Sequence, residues 1–391
     1  MYNQQAYSLG ANRSVIRDLF EYGRQRAAIV GPENVFDYSL GNPSIPCPDY
    51  VNQAIGDILS DTDSLTIHGY TTAVGDYETR KAIADDLNAR YAAGASPEDF
   101  FLGCGAAPEL VSVFRALAVP GAEILAIVPY FPEYKPFVES AGAVFKVIPP
   151  DVPGFQIDLA AVEAALTPAT QAIIVNSPNN PSGVVYTQET LSALGALLAE
   201  KSREFGHPIY IVADEPYREL TYGCTAPFIP NIYPNTIVCY SYSKSLSLPG
   251  ERIGYVYVPR QAEDSAELYA AIAGAARASG HVCAPSLWQK VIARCTHLRP
   301  DLGSYDRNRR ALYEALTGFG YEMAKPEGAF YLFIKAPGGD AVVFSEKAKK
   351  QDLLVVPGDG FGCPGYFRIC YCVSYEMIQR SLPVFRKLIE G

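Results

Sequence analysis

The chain has 391 residues, enough for two domains, because single hydrophobic cores stop growing near about 250–300 residues. It is 49% hydrophobic and 19% charged, the balance of an ordinary globular protein. A formal charge of −10 argues against nucleic acid or an anionic membrane surface as the main partner, but leaves room for a small anion held by pocket arginines.

Nine cysteines (47, 104, 224, 239, 283, 295, 363, 370 and 372) form no C-x-x-C pair, and with four histidines no zinc-ligand spacing appears. Reduced, largely buried thiols and no metal are therefore expected. The N-terminus lacks an apolar signal core, and no apolar run reaches the ~18 residues of a membrane span. A cytoplasmic location follows as an expectation.

In chain order, YETRKAIADDLNARYAAG (77–94) has amphipathic helical spacing. AEILAIV (122–128) is a short β-branched run closed by Pro129 and Tyr130, and QAIIVNS (171–177) is another, closed by a Pro/Asn turn. TLSALGALLAEKSREFG (190–206) places Leu191, Leu194, Leu197 and Leu198 on one helical face and stops at Gly206. IYIVADE (209–215) and TIVCYSYS (236–243) are two further buried-strand runs. Short apolar strands alternating with helices predict an α/β fold: a mostly parallel sheet flanked by helices, with ligands at its carboxyl edge.

After about residue 295 the character changes. A helix over 305–323, a strand over 328–336, the stretch 347–358 and a strand over 366–374 predict a smaller α+β domain. The expected division is a large domain over 47–295 and a small one formed by 1–46 and 296–391, the N-terminal part resting on the resemblance given below.

Three clusters carry the chemistry. In SYSKSLSLPGERIG (241–254) a lysine, Lys244, follows a buried strand among serines, with Arg252 eight residues on. Partial burial near a cation lowers an amine's pKa, so that the free amine can attack a carbonyl, and the hydroxyls and Arg252 could hold a phosphate. The plainer reading is a solvated loop with one lysine. No G-x-x-x-x-G-K-[ST] motif is present, which excludes a Walker-type phosphate loop.

NSPNNPSG (176–183) is a strand followed by turn formers, and a simple turn explains its composition. In ADEPYREL (213–220), Asp214 ends an apolar strand, where a buried carboxylate needs a cationic partner. A protonated pyridine nitrogen would serve, and so would a structural pairing with Arg218. Arg368, inside the apolar strand YFRICYC, needs an anion in turn. A bound carboxylate and an ion pair within the small domain both remain open for it.

Asn180, Asp214, Lys244 and Arg252, in this order and spacing, resemble the class I/II aminotransferases of the aspartate-aminotransferase superfamily, pyridoxal-phosphate enzymes of fold type I. The resemblance runs over essentially the whole chain and includes LGNPSIP (40–46), HGYTTAVGDYETRKAIA (68–84), PYFPEY (129–134), PEGAFY (326–331) and PGDGFG…GYFRI (357–369). It implies pyridoxal 5'-phosphate bound to Lys244 as a Schiff base, with Asp214 on the pyridine nitrogen and Asn180 and Tyr217 on the phenolic oxygen. Phe131 would stack on the ring; a core phenylalanine is the alternative. Ser241, Arg252 and the backbone of Ala106 and Ala107 would hold the phosphate. Relatives often carry a hydroxyl in that loop, where this chain has Ala-Ala-Pro.

Tyr70 matches a tyrosine that reaches the neighbouring subunit's phosphate, implying a homodimer with shared sites, although an ordinary surface or core tyrosine is the simpler assignment. Arg368, with the Gly41 backbone and Asn180, matches the clamp for the substrate's α-carboxylate. The freed Lys244 would carry the α-proton, and an amino acid and a 2-oxo acid would react in two ping-pong half-reactions. The same motifs admit a β- or γ-lyase, a cyclase, a decarboxylase, or a non-catalytic sensor. The side chain of the substrate is not legible.

Overall fold

The computed structural model describes residues 1–11 and 14–390. Among these are twelve strands: β1 (Phe36–Asp37), β2 (Phe100–Gly103), β3 (Glu123–Ile127), β4 (Val144–Ile148), β5 (Thr170–Asn176), β6 (Tyr210–Asp214), β7 (Thr236–Ser241), β8 (Gly254–Tyr257), β9 (Tyr331–Lys335), β10 (Leu353–Leu354), β11 (Val356–Pro357) and β12 (Tyr366–Cys370). Seven of them form one sheet in the order β2-β8-β7-β6-β5-β3-β4. Only β8 runs antiparallel to its neighbours. The expected mostly parallel α/β sheet is therefore present.

Its central strands are buried from end to end, β6 and β7 over every residue. That explains why they read as continuous apolar runs: helices cover both faces of a parallel sheet. One such helix, Gln188–Phe205, is started by the Thr187 side chain, which accepts from Thr190 N–H, and is closed by Gly206 at φ +79°.

One expected strand is shorter than its pattern. The run over 236–243 leaves the sheet at Ser241, whose hydroxyl caps the short helix Tyr242–Ser245 by accepting from Ser243 N–H. This turn lifts Lys244 out of the strand and over the sheet edge. Helix boundaries also move by a few residues: the helix expected to run to residue 94 stops at Tyr91, where Ala92 is left-handed, and the one expected from 305 begins at Leu302.

The smaller α+β part contains the antiparallel sheet β11-β12-β9 and the parallel pair β1-β10, which ties the N-terminal segment to the C-terminal one. Arg26 and Asp352 add an ion pair at 2.6 Å between the same two segments. A separate apolar cluster, including Tyr305, Leu312, Phe330, Phe344 and Phe385, forms the core here. No described helix is long and apolar enough to cross a membrane.

Candidate active site

Strands β5, β6 and β7 end in Asn176, Asp214 and Ser241, side by side at the carboxyl edge. A cavity of about 260 Å³ opens there, walled on its other side by β12 and the loop after β1. Eleven of the twelve residues singled out from sequence line it: Gly41, Ala106, Ala107, Phe131, Asn180, Asp214, Tyr217, Ser241, Lys244, Arg252 and Arg368. The twelfth, Tyr70, is 97% exposed and lies outside it.

Lys244 Nζ donates to the Gly41 carbonyl at 2.8 Å. Burial lowers its pKa to about 8, which brings the free amine within reach near neutral pH. A Cβ on Gly41 would collide with the Tyr331 hydroxyl, so only glycine lets the backbone come this close to the lysine.

Asp214 is buried, and burial raises its pKa to about 7, although a hydrogen bond from Tyr134 works in the opposite sense. Oδ2 accepts from the Tyr134 hydroxyl at 2.5 Å and lies 3.5 Å from Asn176 Nδ2. Oδ1 is buried and has no partner. Arg218 is not its partner. The Arg218 guanidinium pairs with Glu215 and bonds the Tyr255 hydroxyl at 3.1 Å, which removes the structural ion pair that the sequence left open.

Asn176 braces two motifs at once. Its Oδ1 accepts from Asn180 N–H at 2.7 Å, and its Nδ2 donates to the Asp214 carbonyl at 2.8 Å. Asn180 in turn accepts from Arg368 Nη1 at 3.0 Å, while Arg368 Nη2 donates to the Ser39 carbonyl at 2.6 Å. The guanidinium lies 4.7 Å from the Tyr331 ring centre and 5.0 Å from that of Phe361, and its buried Nε has no partner. No carboxylate pairs with Arg368 among the described residues, so the alternative of a structural ion pair finds no support. Tyr217 and Tyr331 share a hydroxyl hydrogen bond of 2.8 Å.

At the other end, Gly105 (φ +91°) starts the helix Ala106–Leu117, whose first N–H groups receive no side-chain cap. A Cβ on Gly105 would stand 2.9 Å from Arg252 Nη2, so the guanidinium sits directly over this turn. An uncapped helix start beside an arginine is an anion site. Beneath it lies Glu109, buried and without a hydrogen-bond partner; burial, partly offset by Arg252, raises its pKa well above the usual carboxylate range.

The family profile described as Aminotransferase class I and II matches residues 33–384. The chain belongs to that family. It is similar to the crystal structure of an aminotransferase from Eubacterium rectale, 54% identical with a TM-score of 0.98, over 100% of this chain and 98% of that one. It is similar also to aspartate aminotransferase from Thermus thermophilus solved with maleate, at 26% identity and a TM-score of 0.86 over 99% of each chain. Aspartate aminotransferase from Thermotoga maritima is 29% identical over 365 residues, 92% of each chain. All three carry aminotransferase names, which favours transamination over the lyase, cyclase, decarboxylase and sensor readings. The protein is a pyridoxal-phosphate-dependent aminotransferase of the α/β fold shared with aspartate aminotransferases.

The cavity fits that cofactor. Asp214 Oδ1 offers an unmatched acceptor for a ring N–H, Lys244 a poised amine, and the Gly105–Arg252 turn an anion seat. Sequence reading missed Tyr134, Asn176 and Tyr331. Tyr134 lies within PYFPEY, one helical turn after Phe131, and that spacing was the only signal available.

Proposed function

We propose that this aminotransferase moves an amino group from an amino acid to a 2-oxo acid by a ping-pong route, with Lys244 as the proton carrier. The observation that carries this reading is a convergence: Asp214 Oδ1 and Arg368 Nε are both buried without partners, on the walls of the cavity that holds Lys244. Pyridoxal phosphate would supply the electron sink that makes the α-proton acidic. Asp214 keeps the sink effective by holding the ring nitrogen protonated. Phe131 covers one ring face, and Asn180 and Tyr217 hold the phenolic oxygen. Ser241, Arg252 and the first N–H groups of the helix from Ala106 and Ala107 hold the phosphate.

Arg368, already oriented by Asn180 and the Ser39 carbonyl, takes the substrate's α-carboxylate beside the Gly41 backbone. Lys244, once free, removes the α-proton and returns it one atom away, which requires an amine that is neutral near working pH. Its lowered pKa of about 8 supports that role.

The division into a large domain (47–295) and a small one (1–46 with 296–391) belongs to the same proposal, as does a homodimer. Tyr70, almost wholly exposed and outside its own chain's cavity, would serve a second chain's phosphate, and its exposure supports that reading. Borohydride reduction followed by peptide mapping tests the whole reading: the cofactor should be fixed to Lys244, and fixation to another lysine overturns it. A screen of amino-donor and 2-oxo-acid pairs then identifies the substrates.

A further inference from the structure

The family motifs explain why an aspartate ends β6 but not what keeps it ionised in so dry a place. Asp214 is 6% exposed, and Glu215, next in the chain, opposes its charge. Burial holds Glu109, on the helix after β2, and Cys239, opposite on β7, toward their neutral forms, so neither compensates it. Among the described residues, the one hydroxyl bonded to its carboxylate is that of Tyr134, 1% exposed, at 2.5 Å. Asn176 is farther away, at 3.5 Å.

We infer that Tyr134 is a positioning residue for Asp214: its phenol satisfies Oδ2, holds the carboxylate in its charged form, and leaves Oδ1 turned toward the cofactor ring. The inference rests on the proposed role of Asp214 at the pyridine nitrogen. A buried carboxylate is stable as an anion only while hydrogen bonds satisfy its lone pairs. Tyr134 supplies one such bond, and Oδ1 would take the other from the ring N–H of the bound cofactor.

The placement of Tyr134 is itself well determined. It is the first residue of the helix Tyr134–Ala141, its N–H bonds the Phe131 carbonyl at 3.0 Å, and its ring meets that of Phe131 edge-on at 5.6 Å. One turn of chain thus delivers both the stacking ring and the donor to Asp214. Upstream, Tyr130 N–H bonds the Phe361 carbonyl at 3.1 Å, and Phe361 packs on Arg368. The stretch therefore has supports on both sides of the cleft.

The test is a cycle of Tyr134→Phe, Asp214→Asn and the double variant in the holoenzyme, read by turnover, cofactor affinity and the absorbance of the bound cofactor against pH. Tyr134→Phe keeps the ring and its contact with Phe131. It should lower kcat about ten- to a hundredfold with little change in KM, the range carried by a hydrogen bond to a charged group. Without the phenol, Asp214 takes up a proton more readily, so cofactor affinity should be lost at a higher pH as pH falls. In the Asp214→Asn background the same change should cost almost nothing, because Tyr134 acts through the charge.

An equal loss in both backgrounds, or a silent Tyr134→Phe beside a crippled Asp214→Asn, overturns the inference about Tyr134 alone. Near-normal turnover in Asp214→Asn overturns the reading of Asp214 on which it rests. If Tyr134→Phe only lowers the melting temperature and leaves the pH profile in place, the tyrosine is packing and the inference fails.

Discussion

The two ends of the cavity are built differently. At the pyridine end, Asp214, Tyr134 and Asn176 are all buried, and side-chain hydrogen bonds from the start of a helix and the end of a strand fix them within one chain. At the phosphate end the parts are an exposed arginine at φ +53°, a glycine turn and the uncapped start of a helix. The first end is dry and closed, where a charge-bearing group is costly to place and strong once paired. The second is open, uses backbone groups, and has room for a contribution from another chain. Substitutions at the dry end should therefore cost turnover, and those at the open end should cost cofactor affinity.

Lys244→Ala should have the largest effect and abolish steady-state transamination, while the phosphate end still binds cofactor reversibly. Retained steady-state turnover would break the assignment. The amine's pKa of about 8 gives a second readout: capture of cofactor by the cofactor-free protein should accelerate as pH rises through about 8. A flat rate across that range would mean the amine is not limiting.

Asp214→Asn should come next, lowering turnover by several orders of magnitude, at about 1.36 kcal/mol of lost transition-state stabilisation per factor of ten. In the cofactor-free protein it should do the reverse and stabilise. The folded-state pKa of Asp214 is about 7 against 3.8 for the free side chain, so the fold binds the extra proton between those values. Stability then falls as pH rises through that window, and the cost is fully present above about pH 7. The melting temperature of the asparagine variant should exceed that of the parent by a margin that grows from pH 4 to 7 and then levels. A margin independent of pH would sink the claim that Asp214 is a destabilised anion awaiting its partner.

Arg368→Lys keeps a charge but loses the planar two-point contact, so kcat/KM should fall about ten- to a hundredfold for every amino acid. Cofactor absorbance should hold. Loss of cofactor with unchanged substrate affinity would instead make Arg368 a structural residue.

The contrast between the ends also governs what the sequence could reveal. Asp214 and Arg368 are charged groups inside apolar strand contexts and Lys244 directly follows one, and such mismatches are visible without a structure. So was the sheet, because its buried strands read as unbroken apolar runs. Tyr134 and Asn176 were not visible, since a tyrosine after a strand and an asparagine in a turn look ordinary until Asp214, 80 residues from Tyr134, is folded against them. The end of β7 at Ser241 was hidden for a similar reason: a serine within an alternating run becomes a helix cap only when its hydroxyl finds Ser243 N–H. The Asp214–Arg218 pairing looked reasonable by spacing, yet Glu215 is in reach of the same guanidinium, which turns away from the cavity.

Tyr70→Phe should have the smallest effect and bears most directly on the open end. Within its own chain the Tyr70 ring is 97% exposed, beside Leu65 at 86%, and neither lines the cavity. Two large apolar side chains this exposed on one short stretch fit a surface that a second copy covers. If the Tyr70 hydroxyl then reaches the neighbouring phosphate, its removal deletes one hydrogen bond and leaves the ring contact intact. Cofactor affinity should weaken about tenfold, the low end for a hydrogen bond to a charged group, because this end is open to solvent, while kcat at saturating cofactor stays near the parent value. Sedimentation should give the same dimer mass for both proteins. A monomeric parent, or a variant that loses kcat but keeps its cofactor, would remove Tyr70 from the site and leave the phosphate to Arg252, Ser241 and the helix start alone.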